Sequence, residues 1–301
     1  MDTERPAVDV VVPFRGTTSA LAELVAGMSL LRLGEGDTLT IVDNGPGRNR
    51  YRNVKKGSDP ISAVAGVRVI EARERASSYY ARNRGAAAGE AGWLLFLDAD
   101  VEPPPDLLDR YFGRPIGERV AVLAGGVRDE EAGDGSGAVA RWAALGGLMD
   151  QRHTLEAGRR SYAQTANCAV RRSAFEEVGG FREDIRSGGD ADLCFRLADA
   201  GWSLEASPEA CVIHRSRRKL RKLLRQRARH GSGAAWLERR YPGTFPARGN
   251  WPGLAKWTLT SLAGAALHAA RGRRDQAIRD AIDPLTIWAF ELGRHIPNTV
   301  R

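Results

Sequence analysis

An α/β domain with a mostly parallel central sheet, helices on both faces and a helical C-terminal extension is the fold this sequence predicts. Three observations predict it. Through residues 8–127, short apolar runs rich in β-branched residues alternate with stretches of helical spacing, the pattern of successive β–α units. The apolar runs are continuous, as in strands covered on both faces. Beyond residue 217 only helical periodicity remains.

Taken in order, VDVVVPF (8–14) is the first strand. Residues 17–33 place Leu21, Leu24, Val25, Met28 and Leu31 at helical spacing. DTLTIVDNG (37–45) is the second strand and ends in Asp43; VRVIEA (67–72) is the third. SSYYARNRGAAAGEAG (77–92) is Ala-rich and helical, and WLLFLDAD (93–100) is the fourth strand. The helix in PPDLLDRYF (104–112) starts with proline in its first turn, where no amide bond is lost. VAVLAGGV (120–127) is the fifth strand. Residues 128–163, rich in Gly and Ala, read as an irregular stretch with a helix near 137–150. YAQTANCAVRR (162–172) reads as a strand, residues 176–202 as a helix end, turn, acidic loop and helix, and ACVIH (210–214) as a strand. Helices are expected at 217–240, 251–271 and 274–293. The compositional break near residue 215 is the single candidate boundary.

With 43% hydrophobic and 27% charged residues among 301, the composition excludes extended disorder. The net charge of +8 is unevenly spread: residues 215–229, RSRRKLRKLLRQRAR, hold nine Lys or Arg and no acid, and without them the remainder is −1. Within that segment Leu220, Leu223, Leu224 and Ala228 form one helical stripe, so it is an amphipathic helix with a cationic remainder. Three uses compete for it: closing over a diphosphate, peripheral contact with an anionic membrane, or a plain solvated face. Nucleic acid would also be attracted. No interleaved aromatics or known motif accompany the charge, so no nucleic-acid partner is expected.

Cys168, Cys194 and Cys211 are odd in number and widely spaced, which predicts reduced thiols in a cytoplasmic protein, extending to the inner membrane face if the basic helix docks there. The N-terminus has acids before its first apolar run, unlike a secretory signal. The uncharged stretch Trp257 to Ala270 has 14 residues, Thr, Ser, Gly and His among them. It is too short and polar to span a bilayer, which takes about 20 apolar residues. Trp251, Trp257, Trp288 and Phe290 among alanines and leucines predict a helical pair that packs on the domain or forms a homodimer.

The chemistry lies at strand ends. In open α/β sheets ligands bind beyond the carboxyl ends of the strands, where Asp43, Asp98 and Asp100 are all predicted. Acids one residue apart on a strand share a face and repel each other. A hard divalent cation, Mg2+ or Mn2+, relieves that repulsion, and a diphosphate can fill its open positions. A chance acidic loop is the plain alternative. No G-x-G-x-x-G follows the first strand and no G-x-x-x-x-G-K-[ST] occurs, which argues against a dinucleotide dehydrogenase and a P-loop enzyme.

VVVPFRG, IVDNG, ARNRGAAAGEAGWLLFLDAD and GGFREDIRSGGDADLCFRLADAGW occur in this order, and together they resemble family 2 glycosyltransferases of the GT-A fold, a Rossmann-like nucleotide-diphospho-sugar transferase fold. The resemblance covers residues 8–230. It implies transfer of one sugar from a nucleotide-diphosphate sugar, a UDP-sugar by preference, to an acceptor hydroxyl on a small molecule, peptide or lipid-linked compound, with Mn2+ or Mg2+. Pro13 and Phe14 would line the base pocket and Asp43 would accept a hydrogen bond from the base. Arg82 would approach the phosphates, Asp98 the ribose or the metal's water shell, and Asn167 is grouped with these donor-binding residues. Asp100 would bind the metal; His214, ending ACVIH, would complete the metal site or touch the diphosphate. With the compositional break near residue 215, the chain is expected to divide into a catalytic domain, 1–214, with a nucleotide-sugar part (1–127) and an acceptor part (128–214), and a basic helical extension, 215–301.

Asp190 matches the family's general base. Inverting transfer needs a carboxylate that takes the acceptor's proton as its oxygen attacks the anomeric carbon. Just before a helix, Asp190 can equally be a cap, and Asp192 is a competitor. The family pattern has Glu-Asp here; this chain has Gly189-Asp190, losing the usual acceptor contact. That departure motivates an alternative, a catalytically impaired binding protein of the same fold that docks to membrane or nucleic acid through its basic helix. A nucleotidyltransferase is a third reading, disfavoured because no Gly-rich basic loop follows the first strand. The Q-x-x-R-W motif and membrane spans of processive members are absent, which implies single-sugar transfer.

Overall fold

The computed structural model describes residues 5–45, 66–131, 133, 136–146, 149–156, 160–215, 219–245 and 249–300. Residues 216–218 of the basic segment and 147–148 of the helix expected near 137–150 lie outside the described residues. The strands are β1 (Val8–Phe14), β2 (Thr38–Asp43), β3 (Val67–Glu71), β4 (Trp93–Leu97), β5 (Val101–Glu102), β6 (Val120–Asp129), β7 (Asn167–Arg171) and β8 (Ser203–His214). They form one sheet in the order β3-β2-β1-β4-β7-β6-β8-β5.

Strands β3, β2, β1 and β4 are mutually parallel, as their continuous apolar runs predict. Further along, β7 runs antiparallel to β4 and β6, β6 and β8 are parallel, and β5 is antiparallel to β8. Apolar continuity reports burial on both faces and is silent on direction, so the sequence could not show this reversal. Strand β8 is longer than ACVIH; its first half, exposed or half-buried except at Ser207, carries no apolar run to mark it. Its Pro208 lies where the β6–β8 register shifts, the place in a ladder where a missing donor is tolerated.

The helices are α1 (Thr18–Met28), α2 (Ser78–Ala86), α3 (Leu107–Phe112), α4 (Ala138–Gly146), α5 (Arg152–Leu155), α6 (Arg172–Glu177), α7 (Gly189–Asp199), α8 (Leu220–Arg240), α9 (Trp251–Ala270) and α10 (Arg274–Gly293). Thr17 and Ser77 cap α1 and α2 by accepting from Ala20 N and Tyr80 N, each worth about 1 kcal/mol. Helix α2 is shorter than the Ala-rich run, and beyond it a Cβ on Gly89 would strike the Asp9 carboxylate at 2.3 Å. Asp9 is buried and paired with Arg172 at 2.5 Å.

Alternation along the strands sends side chains to two separate cores. Val10, Val12, Leu95 and Leu97 pack with Leu21 and Leu107 on one face. Val11, Leu94 and Phe96 pack with Phe175, Phe181 and Leu193 on the other. Each such side chain contributes about 1.5–3 kcal/mol by leaving water. Helix α8 seats Leu237 and Tyr241 against Ala191 and Phe195 of α7, and Leu223 against Trp142 of α4 and Ile282 of α10. Cys168 and Cys194 are buried, Cys211 is partly exposed, and all three are unpaired thiols.

Candidate active site

A cavity of about 870 Å3 opens at the carboxyl ends of β1 and β4 and is roofed by α7, α8 and α10. The turn after β4 shapes its floor. The Asp98 amide donates to Ala166 O at 3.2 Å, and Val101 N donates back to Asp98 O at 3.4 Å. The chain therefore leaves the strand at Asp98, and the two acids take different partners instead of sharing one strand face. Asp98 accepts from the Arg82 guanidinium, whose central carbon lies 5.9 Å from the Tyr79 ring and 6.0 Å from the Phe181 ring. Burial pushes the Asp98 carboxyl above its ordinary range; Arg82 opposes this and Asp100 adds to it.

Strand register brings His214 to Asp100. His214 is opposite Val101 on β5 and opposite Asp129 on β6. Its Nδ1 is 2.9 Å from Asp129 Oδ1, and its Nε2 is 3.7 Å from Asp100 Oδ2. Burial alone would lower the imidazole pKa, but the hydrogen bonds and charges of Asp100 and Asp129 outweigh it and raise the pKa to about 9. Asp129 is a residue the sequence reading missed, because it ended that strand at 127, whereas β6 runs on to Asp129. The same rule that marked Asp43 and Asp98, an acid at a strand's carboxyl end, would have found it.

Among the described residues no group of three or more His, Cys, Asp or Glu is placed to hold a metal ion. A two-ligand set is what the geometry offers: Asp100 with His214, whose Nδ1–H is oriented by Asp129 so that Nε2 faces the acid. That donor set fits Mn2+ or Mg2+, which take few protein ligands and fill the remaining positions with water and substrate phosphate.

Asp190 lines the same cavity from helix α7. Helix α7 begins after Gly188, whose φ of 84° is left-handed, a conformation glycine adopts without strain. Asp190 thus lies in the first turn and is not the cap; its carboxylate accepts from Ala191 N at 3.1 Å. It is half-buried on the cavity wall, and burial raises its pKa against the pull of that amide and of Arg82. Asp192 faces away, fully buried, accepting from Tyr241 Oη at 2.8 Å and Arg196 Nε at 2.9 Å. It is structural.

Tyr79 explains the missing Glu. A Cβ on Gly189 would come within 2.6 Å of the Tyr79 ring, and Gly189 N donates to Tyr79 Oη at 2.8 Å. The aromatic ring occupies the room a longer side chain would need. The loop before α7 is held by the chain's far end: Ser187 N donates to Asn298 Oδ1 at 3.1 Å, and Asn298 Nδ2 donates to Ser187 O at 2.9 Å. Nothing in the local sequence around either residue signals that pairing.

The predicted residues Pro13, Phe14, Arg82, Asp98, Asp100, Asp190 and His214 all line this cavity. Asp43 and Asn167 are not brought to it. Asp43 is buried at the end of β2, accepting from Gly45 N at 2.9 Å and pairing with Arg73 at 3.1 Å, while its neighbour Asn44 reaches the lining. Asn167 lies within the core: its amide donates to Gly126 O and Ala210 O, and its Oδ1 accepts from Tyr111 Oη at 2.7 Å. The basic segment divides by helical face. Gln226, Arg227 and Arg229 of α8 line the cavity, whereas Arg221, Lys222 and Arg225 face solvent. Arg227 stacks 5.5 Å over Phe290, and burial lowers its pKa.

Comparison with known proteins agrees with this architecture. Residues 93–289 match the sequence family described as glycosyl transferase family group 2. A pre-mycofactocin glycosyltransferase of Mycobacterium tuberculosis is 34% identical over 260 residues, 85% of this chain and 53% of that protein. The chain therefore spans about half the length of that relative. A mannosyltransferase from Pyrobaculum calidifontis, solved with GDP-Man and Mn2+, superposes with a TM-score of 0.66 at 16% identity, over 97% of this chain and 88% of that one. GalNAc-T7, solved with UDP, GalNAc and Mn2+, superposes with a TM-score of 0.53 at 17% identity, over 72% of this chain and 45% of that one. At these identities the two structures show a shared GT-A fold.

Proposed function

The chain belongs to the family 2 glycosyltransferases, and from that premise we propose that it moves a single sugar from a nucleotide-diphosphate sugar to an acceptor hydroxyl with inversion, Asp190 acting as general base. The observation that carries this reading is the division of one cavity into two walls. Asp100 and His214 stand on the strand side, and Asp190 stands on the helical side.

Asp190 would take the acceptor's hydroxyl proton as that oxygen bonds to the anomeric carbon. The bond from the anomeric carbon to the diphosphate breaks, and its electron pair leaves with the nucleoside diphosphate. A carboxyl pushed up by burial is a better proton acceptor than an ordinary one, and Arg82 and the Ala191 amide oppose that rise. A divalent cation held by Asp100 and His214 would neutralise charge on the leaving diphosphate. Arg227 and Arg229 add positive charge from α8. Pro13 and Phe14 would line the nucleoside pocket, with Asp43 beside Phe14 in the strand register supporting it from behind. The two solved neighbours contain GDP-Man and UDP, so both guanine and uracil donors belong in the test.

The experiment is a thermal-shift screen of UDP-, GDP- and dTDP-sugars with and without Mn2+. Binding at ~100-fold excess over Kd stabilises by about 2.7 kcal/mol. A metal-dependent shift that disappears in Asp100→Ala, with transfer lost in Asp190→Asn while donor binding stays, is the expected result. Donor binding without transfer in the unaltered protein would favour the impaired binding protein, and no binding of any donor would overturn the transferase reading and move weight to a binding protein that docks through its basic helix.

A further inference from the structure

Helix α9 turns its small and polar side to the protein and its apolar side to solvent. Leu254, Thr258, Ser261, Gly264 and His268, at helical spacing, are partly covered. Two of them bond to α10: Trp288 Nε1 donates to Thr258 Oγ1 at 2.9 Å, and His268 Nδ1 pairs with Asp280 Oδ2 at 3.1 Å. On the other side Leu259 is 71% exposed, Leu267 48% and Leu262 46%. No residue of this 20-residue helix is buried. An amphipathic helix of a soluble domain does the reverse.

The helix is about 30 Å long, and its exposed leucines gather on one side, the kind of grouping that marks an interaction surface. Its charge says what covers it. The helix contains no Asp or Glu, its sole charged residue is Lys256, and its C-terminus runs into exposed Arg271, Arg273 and Arg274. A second copy would bring the same positive end and no acid from its own α9. A layer of anionic headgroups supplies the missing charge, with acyl chains beneath it for the leucines. No described helix is long and apolar enough to cross a membrane, so contact in the plane of the interface is what remains.

We propose that α9 docks flat on an anionic lipid surface, burying Leu259, Leu262 and Leu267 at the acyl boundary while Arg271, Arg273 and Arg274 meet the headgroups. This does not depend on the transfer chemistry.

The test is co-sedimentation of the full chain with phosphatidylcholine vesicles made with and without phosphatidylglycerol, alongside light scattering of the lipid-free protein. The wild type is expected to pellet with anionic vesicles at least ~10-fold better than with neutral ones. The double variant Leu259→Asp/Leu262→Asp is expected to lose about 10-fold or more of that binding with an unchanged thermal midpoint, since both side chains are exposed. Replacing Arg271, Arg273 and Arg274 by Gln should cost about five-fold per arginine. Any of three results overturns the proposal: no binding to anionic vesicles, binding that the leucine variant leaves intact (which would move it to the basic face of α8), or a lipid-free dimer that the leucine variant dissociates.

Discussion

Helices α8 and α9 have 21 and 20 residues, and each is buried in inverse measure to its hydropathy. The first carries the densest positive charge in the chain, yet it buries Leu223, Leu237 and a run of five small residues from Gly231 to Ala235. The second is mostly Ala, Leu and Trp, yet buries nothing. The difference lies in what each presents at its crossing. A Cβ on Gly231 would stand 1.9 Å from the Phe290 carbonyl oxygen, and one on Gly293 would stand 2.0 Å from that of Ala228. Helices α8 and α10 therefore meet backbone to backbone. On its other side α8 meets the α7 loop through Gly233 against Ser187 and Leu237 against Gly188. The exposed arginines of α8 extend from the opposite face into water. Close approach of small residues, and not the apolar count of the helix, decides which of the two joins the catalytic body.

The sharpest way to break this contrast is Gly231→Val. Side-chain carbons would collide with backbone that cannot rotate away, so a loss of about 3 kcal/mol or more is expected in urea unfolding. A small effect would mean that α8 and α10 are held by something else.

Next comes Gly189→Glu, which restores the usual family residue against the Tyr79 ring. It should destabilise by about 1–3 kcal/mol and lower kcat by displacing Asp190. Tyr79→Ala in the same chain should recover much of that stability, and no recovery would show that the ring is not the obstacle.

A smaller effect, readable by pH, tests whether His214 belongs to the rigid body. Its pKa is raised from 6.5 to about 9, so the stability it adds is complete below pH 6.5 and is lost as pH rises through 9. After allowance for solvent screening, metal-free protein should lose about 1–2 kcal/mol across that window. The slope should flatten in Asp129→Asn.

The smallest effect belongs to α9. Leu259→Ser, at a side chain 71% exposed, should change stability by less than about 0.5 kcal/mol without lipid. A larger loss would show that the face is already covered in solution.

Much of the site was legible before folding because the relevant signals are local. A continuous apolar run announces a buried strand, and the first acid after it announces a carboxyl end, which is how Asp98 and Asp100 were read. Arg82 and Asp190 came from the order of four sequence blocks, and His214 from its place at the end of ACVIH. Asp129 escaped because the exposed end of β6 looks like loop. Asn167 and Asp43 were grouped with the donor residues, and the structure places both behind the cavity wall with protein partners on their side chains. Tyr79 and Asn298 gave no local sign: each acts on a loop more than a hundred residues away, Tyr79 at Gly189 and Asn298 at Ser187.

By itself the sequence determined the family, the α/β class, the place of nearly every strand and helix, and the acids at strand ends. These follow from periods of two and 3.6 residues and from where apolar runs stop, and both are properties of neighbouring residues. The tertiary structure decided the antiparallel reversal at β7, the pairing of His214 with Asp100 and Asp129, the filling of the lost Glu's space by Tyr79, and the opposite fates of α8 and α9. Each depends on strand register or on how closely two backbones cross. Those are distances between segments remote in the chain, which no local pattern of residues encodes.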